Sequence, residues 1–166
     1  MPSTVFFGLG TNLGDRVANL RAAIAALNSI GRVTALSDVW ETAPLYVTDQ
    51  PAFLNMAAAA ETTLPPLELL RRVKAMEDGL GRVASVRYGP RLIDIDILLF
   101  GNVVMAHPDL TIPHPRLPER HFALAPLAEI AGDRRHPETG LTIQAMLDRL
   151  PTTADIRRLG AWNDEC

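Results

Sequence analysis

The chain has 166 residues, about one domain by the usual range of roughly 100–200 residues. With 48% hydrophobic and 21% charged residues it can bury a core without a structural metal, and its single cysteine, Cys166, excludes an intrachain disulfide. A net charge of −3 argues against binding long nucleic acid through bulk charge, and no apolar run approaches the ~18 residues of a membrane-spanning helix. A soluble, cytoplasmic protein with no nucleic-acid and no membrane partner is expected. Of the sixteen basic residues only Lys74 is a lysine. That bias can be mere composition, so where the arginines cluster matters more, because guanidinium forks grip phosphate bidentately.

Residues 4–9 (TVFFGL) read as a strand, and Gly10, Thr11, Asn12, Leu13 and Gly14 as a glycine-rich turn. Asp15 then opens a helix whose apolar positions Val17, Leu20, Ile24 and Leu27 step by three and four. Residues 33–42 read as one strand and 53–63 as another, joined by a long connection that carries Pro44 and Pro51. Pro65 and Pro66 start a second helix bearing Leu67, Leu70, Val73 and Leu80, closed by Gly79 and Gly81. A polar loop over 82–91 leads into a strongly apolar strand over 92–100. The order strand, helix, strand, strand, helix, strand predicts an α+β fold of the split β-α-β kind, an antiparallel sheet backed by helices. The rest, 102–166, is punctuated by proline, with one short helix expected at 142–150. We read 1–166 as a single domain, with 132–166 its C-terminal extension.

The chemistry concentrates at the end of the second β-α-β half. In the run IDIDILLF, strand alternation places Asp94 and Asp96 on one face, about 7 Å apart along the backbone, with Ile93, Ile95, Ile97 and Leu99 on the other. Two carboxylates in so apolar a strand repel one another unless a hard cation sits between them. Magnesium suits such a pair, since it takes one or two protein carboxylates and fills its shell with water and phosphate oxygens. A solvated edge-strand face paired with arginines is the plainer reading. The loop before the strand carries Arg82, Arg87 and Arg91 and no acid, which suits a polyphosphate bound with the metal, or else only a soluble surface. Tyr88, Gly89 and Pro90 give that loop an aromatic ring and a turn.

The stretch GLGTNLG after the first strand is neither G-x-G-x-x-G nor followed by Gly-Lys-Ser/Thr, so its glycines are read as structural turn residues. His114, bracketed by Pro113 and Pro115 and followed by Arg116 and Arg120, is either a phosphate donor or a structural histidine. Phe53 and Phe122 are either core residues or the walls of a slot for a flat heterocycle, whose edge Asn55 could read. Serine- or cysteine-nucleophile chemistry has no support.

In this order these residues resemble the 6-hydroxymethyl-7,8-dihydropterin pyrophosphokinase family of folate biosynthesis. The likeness lies in four blocks: 7–16 (FGLGTNLGDR), 41–55 (ETAPLYVTDQPAFLN), 87–101 (RYGPRLIDIDILLFG) and 112–130 (IPHPRLPERHFALAPLAEI). The third, with its Gly-Pro-Arg-x-x-Asp-x-Asp core, is the most specific. The resemblance implies a ferredoxin-like scaffold. It also implies transfer of the β,γ-pyrophosphoryl group of the co-substrate ATP to the hydroxymethyl oxygen of the dihydropterin, with release of AMP. By the same likeness Asp94 and Asp96 would hold two Mg2+ ions. Thr42 and Leu45 would offer backbone groups and Asn55 its amide to the pterin edge, with Phe53 and Phe122 sandwiching the ring. Arg82, Arg91 and His114 would contact phosphate, helped by Arg87 and Arg120. Glu77, with Ile97, Leu110 and Thr111, would line the nucleotide side. The partners implied are therefore small molecules, and a monomer is expected.

Three departures stand out. Ala84 occupies a loop position where many members carry another arginine, Tyr88 one where tryptophan is frequent, and Phe53 one where some carry tyrosine. Two rival functions follow. One is a pterin- or nucleotide-binding module on the same fold that does not turn over, toward which Ala84 points. The other is a different magnesium-dependent phosphoryl or nucleotidyl transferase.

Overall fold

The computed structural model describes residues 2–43, 52–80, 93–151 and 156–162. Strand β1 (Ser3–Thr11) leads through Asp15 into α1 (Arg16–Leu27), followed by β2 (Arg32–Leu36), β3 (Val39–Thr42), β4 (Phe53–Thr62) and α2 (Pro66–Gly79). Then come β5 (Asp94–Phe100), the strands β6 (Met105–His107) and β7 (Leu110–Ile112), and a 3-10 turn at Leu117–Glu119. Helices α3 (His121–Ala131) and α4 (Ile143–Asp148) and strand β8 (Ile156–Gly160) complete the described elements.

The main sheet runs β5-β1-β4-β3-β8, with β2 also on β4, and all its pairings are antiparallel. Without β8, the strands lie in the order fourth, first, third, second that a split β-α-β chain requires. Asp15 caps α1 by accepting the Ala18 N–H at 3.1 Å, and Pro66 occupies the first turn of α2, where its missing N–H costs nothing. Leu20, Ala23 and Leu27 of α1 and Leu69 and Val73 of α2 bury against Val5, Phe7, Leu9, Leu54, Met56 and Ala58 on one face of the sheet. The other face receives α3 and α4 through Leu124, Leu127, Ile143 and Met146, over Phe6, Ala57, Ala59, Leu98 and Leu99.

Four features depart from simple periodicity. The expected single strand over 33–42 is two strands, because Ser37 interrupts it: its side-chain oxygen accepts the Ala57 N–H at 2.8 Å and donates to the Asp38 carbonyl, standing in for a ladder carbonyl. The glycines of the first motif are not all turn residues, since β1 runs on through Gly8 and Gly10 to Thr11. In β5 the register shifts opposite Phe6 and Phe7, so Leu98 is an extra residue against β1. Alternation beyond it reverses: Leu99 joins Leu98 in the α3 core, rather than lying with Ile95 and Ile97, and Phe100 takes the face Leu99 was expected to occupy.

The fourth is α3, which sequence reading missed because Pro126 lies inside it. Proline removes the N–H that would bond the Phe122 carbonyl, but Ala123, Leu124, Ala125, Pro126 and Leu127 are all buried, and that burial outweighs the lost bond.

Ser37 is 3% exposed, so Ser37→Ala leaves the Ala57 amide buried without its acceptor. The loss should be about 1–3 kcal/mol, read as a lower urea midpoint with an unchanged slope.

Candidate active site

Register brings Asp94, Asp96 and Asn55 to one face of the sheet. In β5, Ile95 and Ile97 face the α1/α2 core, so Asp94 and Asp96 point to the opposite face, half-buried. Their partners on β1 are Gly10 and Gly8, and the partner of Gly10 on β4 is Asn55. The carboxylate strand and the amide strand are thus separated by two positions of β1, Gly8 and Gly10, that carry no side chain on this face. Two interstrand steps span about 10 Å, the width of a bicyclic heterocycle with its substituent. A Cβ at Gly10 would lie 3.0 Å from Asn55 Oδ1 and 3.8 Å from a ring carbon of Phe53, and one at Gly8 would touch the Leu98 side chain at 3.4 Å. The glycines are therefore the floor of the site. Their spacing of two within a strand was the available signal, and a turn reading concealed it.

On the β4 side, Asn55 and Thr42 are both buried, and Asn55 Nδ2 donates to Thr42 Oγ1 at 2.7 Å. That bond orients the amide and leaves its oxygen over Gly10. Phe53, the β4 partner of Thr42, lies half-buried at the mouth of the strand. Phe122 sits in the first turn of α3, packed on the second core with the Arg120 guanidinium 5.3 Å from its ring centre. Both aromatics belong to the α3 side of the sheet.

His114 is tied to the same strand: its N–H donates to the Leu98 carbonyl at 3.0 Å, two residues beyond Asp96. The Ile112–Pro113 peptide before it is cis. His114 Nδ1 accepts the Arg116 N–H at 3.2 Å, so the neutral ring carries its proton on Nε2 and presents a donor there. Burial, reinforced by the charges of Arg120 and Arg116, pushes its pKa down to about 4. The ring is neutral near pH 7, in a corner whose positive potential favours an anion.

Glu77, Ile97 and Leu110 belong to the other side of β5. Glu77 continues the buried α2 stripe of Leu69 and Val73 at a spacing of four, is 3% exposed, and accepts the Ile95 N–H at 2.9 Å on the edge of β5 away from β1. Ile97 and Leu110 bury their side chains in the first core, which leaves only their backbones to a ligand, and Thr111 is exposed beside Leu110. Leu45, Arg82, Arg87 and Arg91, with Ala84 and Tyr88, lie outside the described residues. Among the described residues no group of three or more His, Cys, Asp or Glu converges to hold a metal; the candidate is the Asp94–Asp96 pair. No helix among them is long and apolar enough to cross a membrane.

A carboxylate pair, a glycine floor, a buried oriented amide and a cationic corner share one face of the α+β sheet. A family model described as 7,8-dihydro-6-hydroxymethylpterin-pyrophosphokinase matches residues 6–132, and the chain belongs to that family. The 2-amino-4-hydroxy-6-hydroxymethyldihydropteridine pyrophosphokinase of Bacillus subtilis is 46% identical over 132 residues, covering 78% of this chain and 79% of that protein. The enzyme of the same name from Pseudomonas aeruginosa is 41% identical over 140 residues, 83% of this chain and 86% of that protein. The mitochondrial folate synthesis bifunctional protein of Pisum sativum is 46% identical over 129 residues, 77% of this chain, and the chain spans 25% of its length. A crystal structure titled Plasmodium falciparum HPPK-DHPS wild type with pteroate superposes with a TM-score of 0.77 over 95% of this chain and 48% of that one, at 14% identity, a likeness of fold.

Two outcomes follow. Unfolded His114 protonates near 6.5 and the folded residue near 4, so between those values the unfolded state binds more protons and stability falls as pH is lowered. His114→Gln should remove on the order of 1–3 kcal/mol of that loss, flattening the melting temperature between pH 6.5 and 4. His136, which burial also holds below its ordinary value, leaves a residual slope. Gly10→Ala should displace the Asn55 amide by a few tenths of an ångström and, on the function proposed below, weaken dihydropterin binding about fivefold or more in a fluorescence titration.

Proposed function

We propose that the chain transfers the β,γ-pyrophosphoryl group of ATP to the hydroxymethyl oxygen of 6-hydroxymethyl-7,8-dihydropterin and releases AMP. The observation that carries this reading is the placement of Asp94 and Asp96 across the glycine strand from the Asn55–Thr42 pair. It sets an anion-charge site and a heterocycle-edge site on one floor. The all-oxygen donor set of the aspartates fits magnesium, which prefers carboxylate, water and phosphate oxygens. In this reading Asp94 and Asp96 would hold two Mg2+ ions, which when bound would supply neutralisation of phosphate charge.

The remaining steps belong to the chain. Asn55, held by Thr42, reads the pterin edge together with the Thr42 and Leu45 backbones, and Phe53 and Phe122 stack on the ring. His114 donates from Nε2 to phosphate. Arg82, Arg87, Arg91 and Arg120 neutralise the oxygens that the metal does not reach. The hydroxymethyl oxygen attacks the β-phosphorus in line, the bond from the β-phosphorus to the α,β-bridging oxygen breaks, and that oxygen leaves with AMP. Glu77 acts at the nucleotide side by fixing the edge of β5, with backbone groups of Ile97, Leu110 and Thr111 facing the base. Every residue in this account comes from one chain, so a monomer suffices.

The test mixes protein, ATP, magnesium and the dihydropterin and resolves the nucleotides. AMP that appears only with the pterin supports the reading; ADP would mean another transferase, and pterin binding without product a binding module. Asp96→Ala should abolish AMP formation and leave pterin binding within about threefold of wild type, since that carboxylate serves the phosphates and not the ring. Normal turnover in that variant would overturn the metal assignment.

A further inference from the structure

Arg16 is the first residue of α1, where the positive end of the helix dipole disfavours a cation, an effect that the capping Asp15 carboxylate partly offsets. The contacts of its guanidinium lie outside its own helix. Its Nη1 donates to Glu41 Oε2 at 3.3 Å, on β3, and to the Ala52 carbonyl at 3.0 Å, just before β4. Glu41 precedes Thr42, Ala52 precedes Phe53, and Thr42 and Phe53 are cross-strand partners. One guanidinium thus spans the end of the β3–β4 ladder from which the pterin-edge residues project.

The contact is also more enclosed than the ion pair at the far end of β4. The Arg16 and Glu41 side chains are 33% and 23% exposed, against 74% and 40% for Arg32 and Glu61 at the far end of β4. On its other side Glu41 accepts from Arg157 of β8 at 2.9 Å. The two guanidiniums hold the Glu41 carboxyl below the usual carboxylate range, Arg157 more strongly, against the opposing effect of burial. Glu41 stays an anion, and the bridge persists, at any pH near neutral.

We propose that Arg16 is a positioning residue for the acceptor half of the site: by holding Glu41 and the Ala52 carbonyl together it sets the spacing of Thr42 and Phe53, and through Thr42 the orientation of the Asn55 amide. The proposal rests on the pterin-binding reading given above. It separates Arg16 from the phosphate arginines, because Arg16 serves the pterin and not ATP.

The experiment compares Arg16→Ala, Arg16→Lys and Glu41→Gln with wild type and with Arg32→Ala, which breaks an ion pair remote from the site. Steady-state assays give KM for each substrate and kcat, and fluorescence titration gives the Kd of the dihydropterin alone. Arg16→Ala should raise the pterin KM and Kd about five- to thirtyfold, since only part of the cost of losing hydrogen bonds to a charged group is transmitted to the ligand. The KM for ATP and kcat should stay within about twofold, by the same separation of substrates. Arg16→Lys should recover part of the affinity, Glu41→Gln should shift it in the same direction, and Arg32→Ala should shift nothing. A lower melting temperature with unchanged pterin Kd would show the bridge to be structural only and overturn the proposal, as would equal changes for both substrates. Should Arg16→Ala fail to fold, the lysine and glutamine variants decide by the same ratio. Wild type that binds the pterin but forms no AMP would sink the activity while the Kd ratio still decides the role of Arg16; wild type that does not bind would sink both.

Discussion

The antiparallel ladder from β5 through β1 to β4 is the constraint on which the rest of this structure depends. It pairs Asp96 with Gly8, Asp94 with Gly10 and Gly10 with Asn55. Side chains alternate along a strand, so a slip of one residue in either pairing would exchange every inward and outward group. The carboxylates would then enter the α1/α2 core among Leu20, Leu69 and Val73, and the isoleucines would take their place. Burying two charges there without compensation costs far more than any single contact contributes, so the hydrophobic pattern that builds the core also aims the aspartates.

Around that ladder the buried polar groups act as fasteners. Glu77 closes the edge of β5, Asn55 and Thr42 tie β4 to β3, and Ser37 replaces a ladder bond between them. Among the described residues no buried side-chain nitrogen or oxygen lacks a partner. In a low-dielectric interior an unmade bond is expensive, so each fastener also restricts the fold to one arrangement. On the β4 side of the site the Asn55 amide is held by the Thr42 hydroxyl, and that hydroxyl belongs to a strand end that Arg16 bridges.

The outer elements contribute differently. Helix α3 seals the far half of the site face and brings Arg120 and Phe122 to its edge. Trp40 Nε1 donates to Glu129 at 2.6 Å and joins α3 to β3. Strand β8, beyond the 6–132 span of the family match, pairs with β3 and engages it through Arg157 with Glu41 and Arg158 with Asp38. It adds a strand to the β3 edge and a second cation to the carboxylate that Arg16 holds.

Much of this was legible in the chain itself, because periodicity and capping are local. The step of three and four from Val17 to Leu27, the prolines opening α2, and the alternation of Ile and Asp in β5 are each written within a few consecutive residues. So is the motif Gly-Pro-Arg-x-x-Asp-x-Asp that marks the family. What tertiary structure alone decided depends on residues distant in sequence. Gly8 and Gly10 become a floor only when Asp96 and Asn55 flank them. Leu98 becomes an extra residue only against β1, and α3 survives Pro126 only because the sheet buries it. Arg16 reaches out of its own helix to residues 25 and 36 positions away. Local propensity ranks conformations by fractions of a kilocalorie, roughly up to 1 per residue and about 3 for a proline within a helix, whereas burial of several side chains and long-range hydrogen bonds together contribute more, and where the two disagree the packed chain follows the larger.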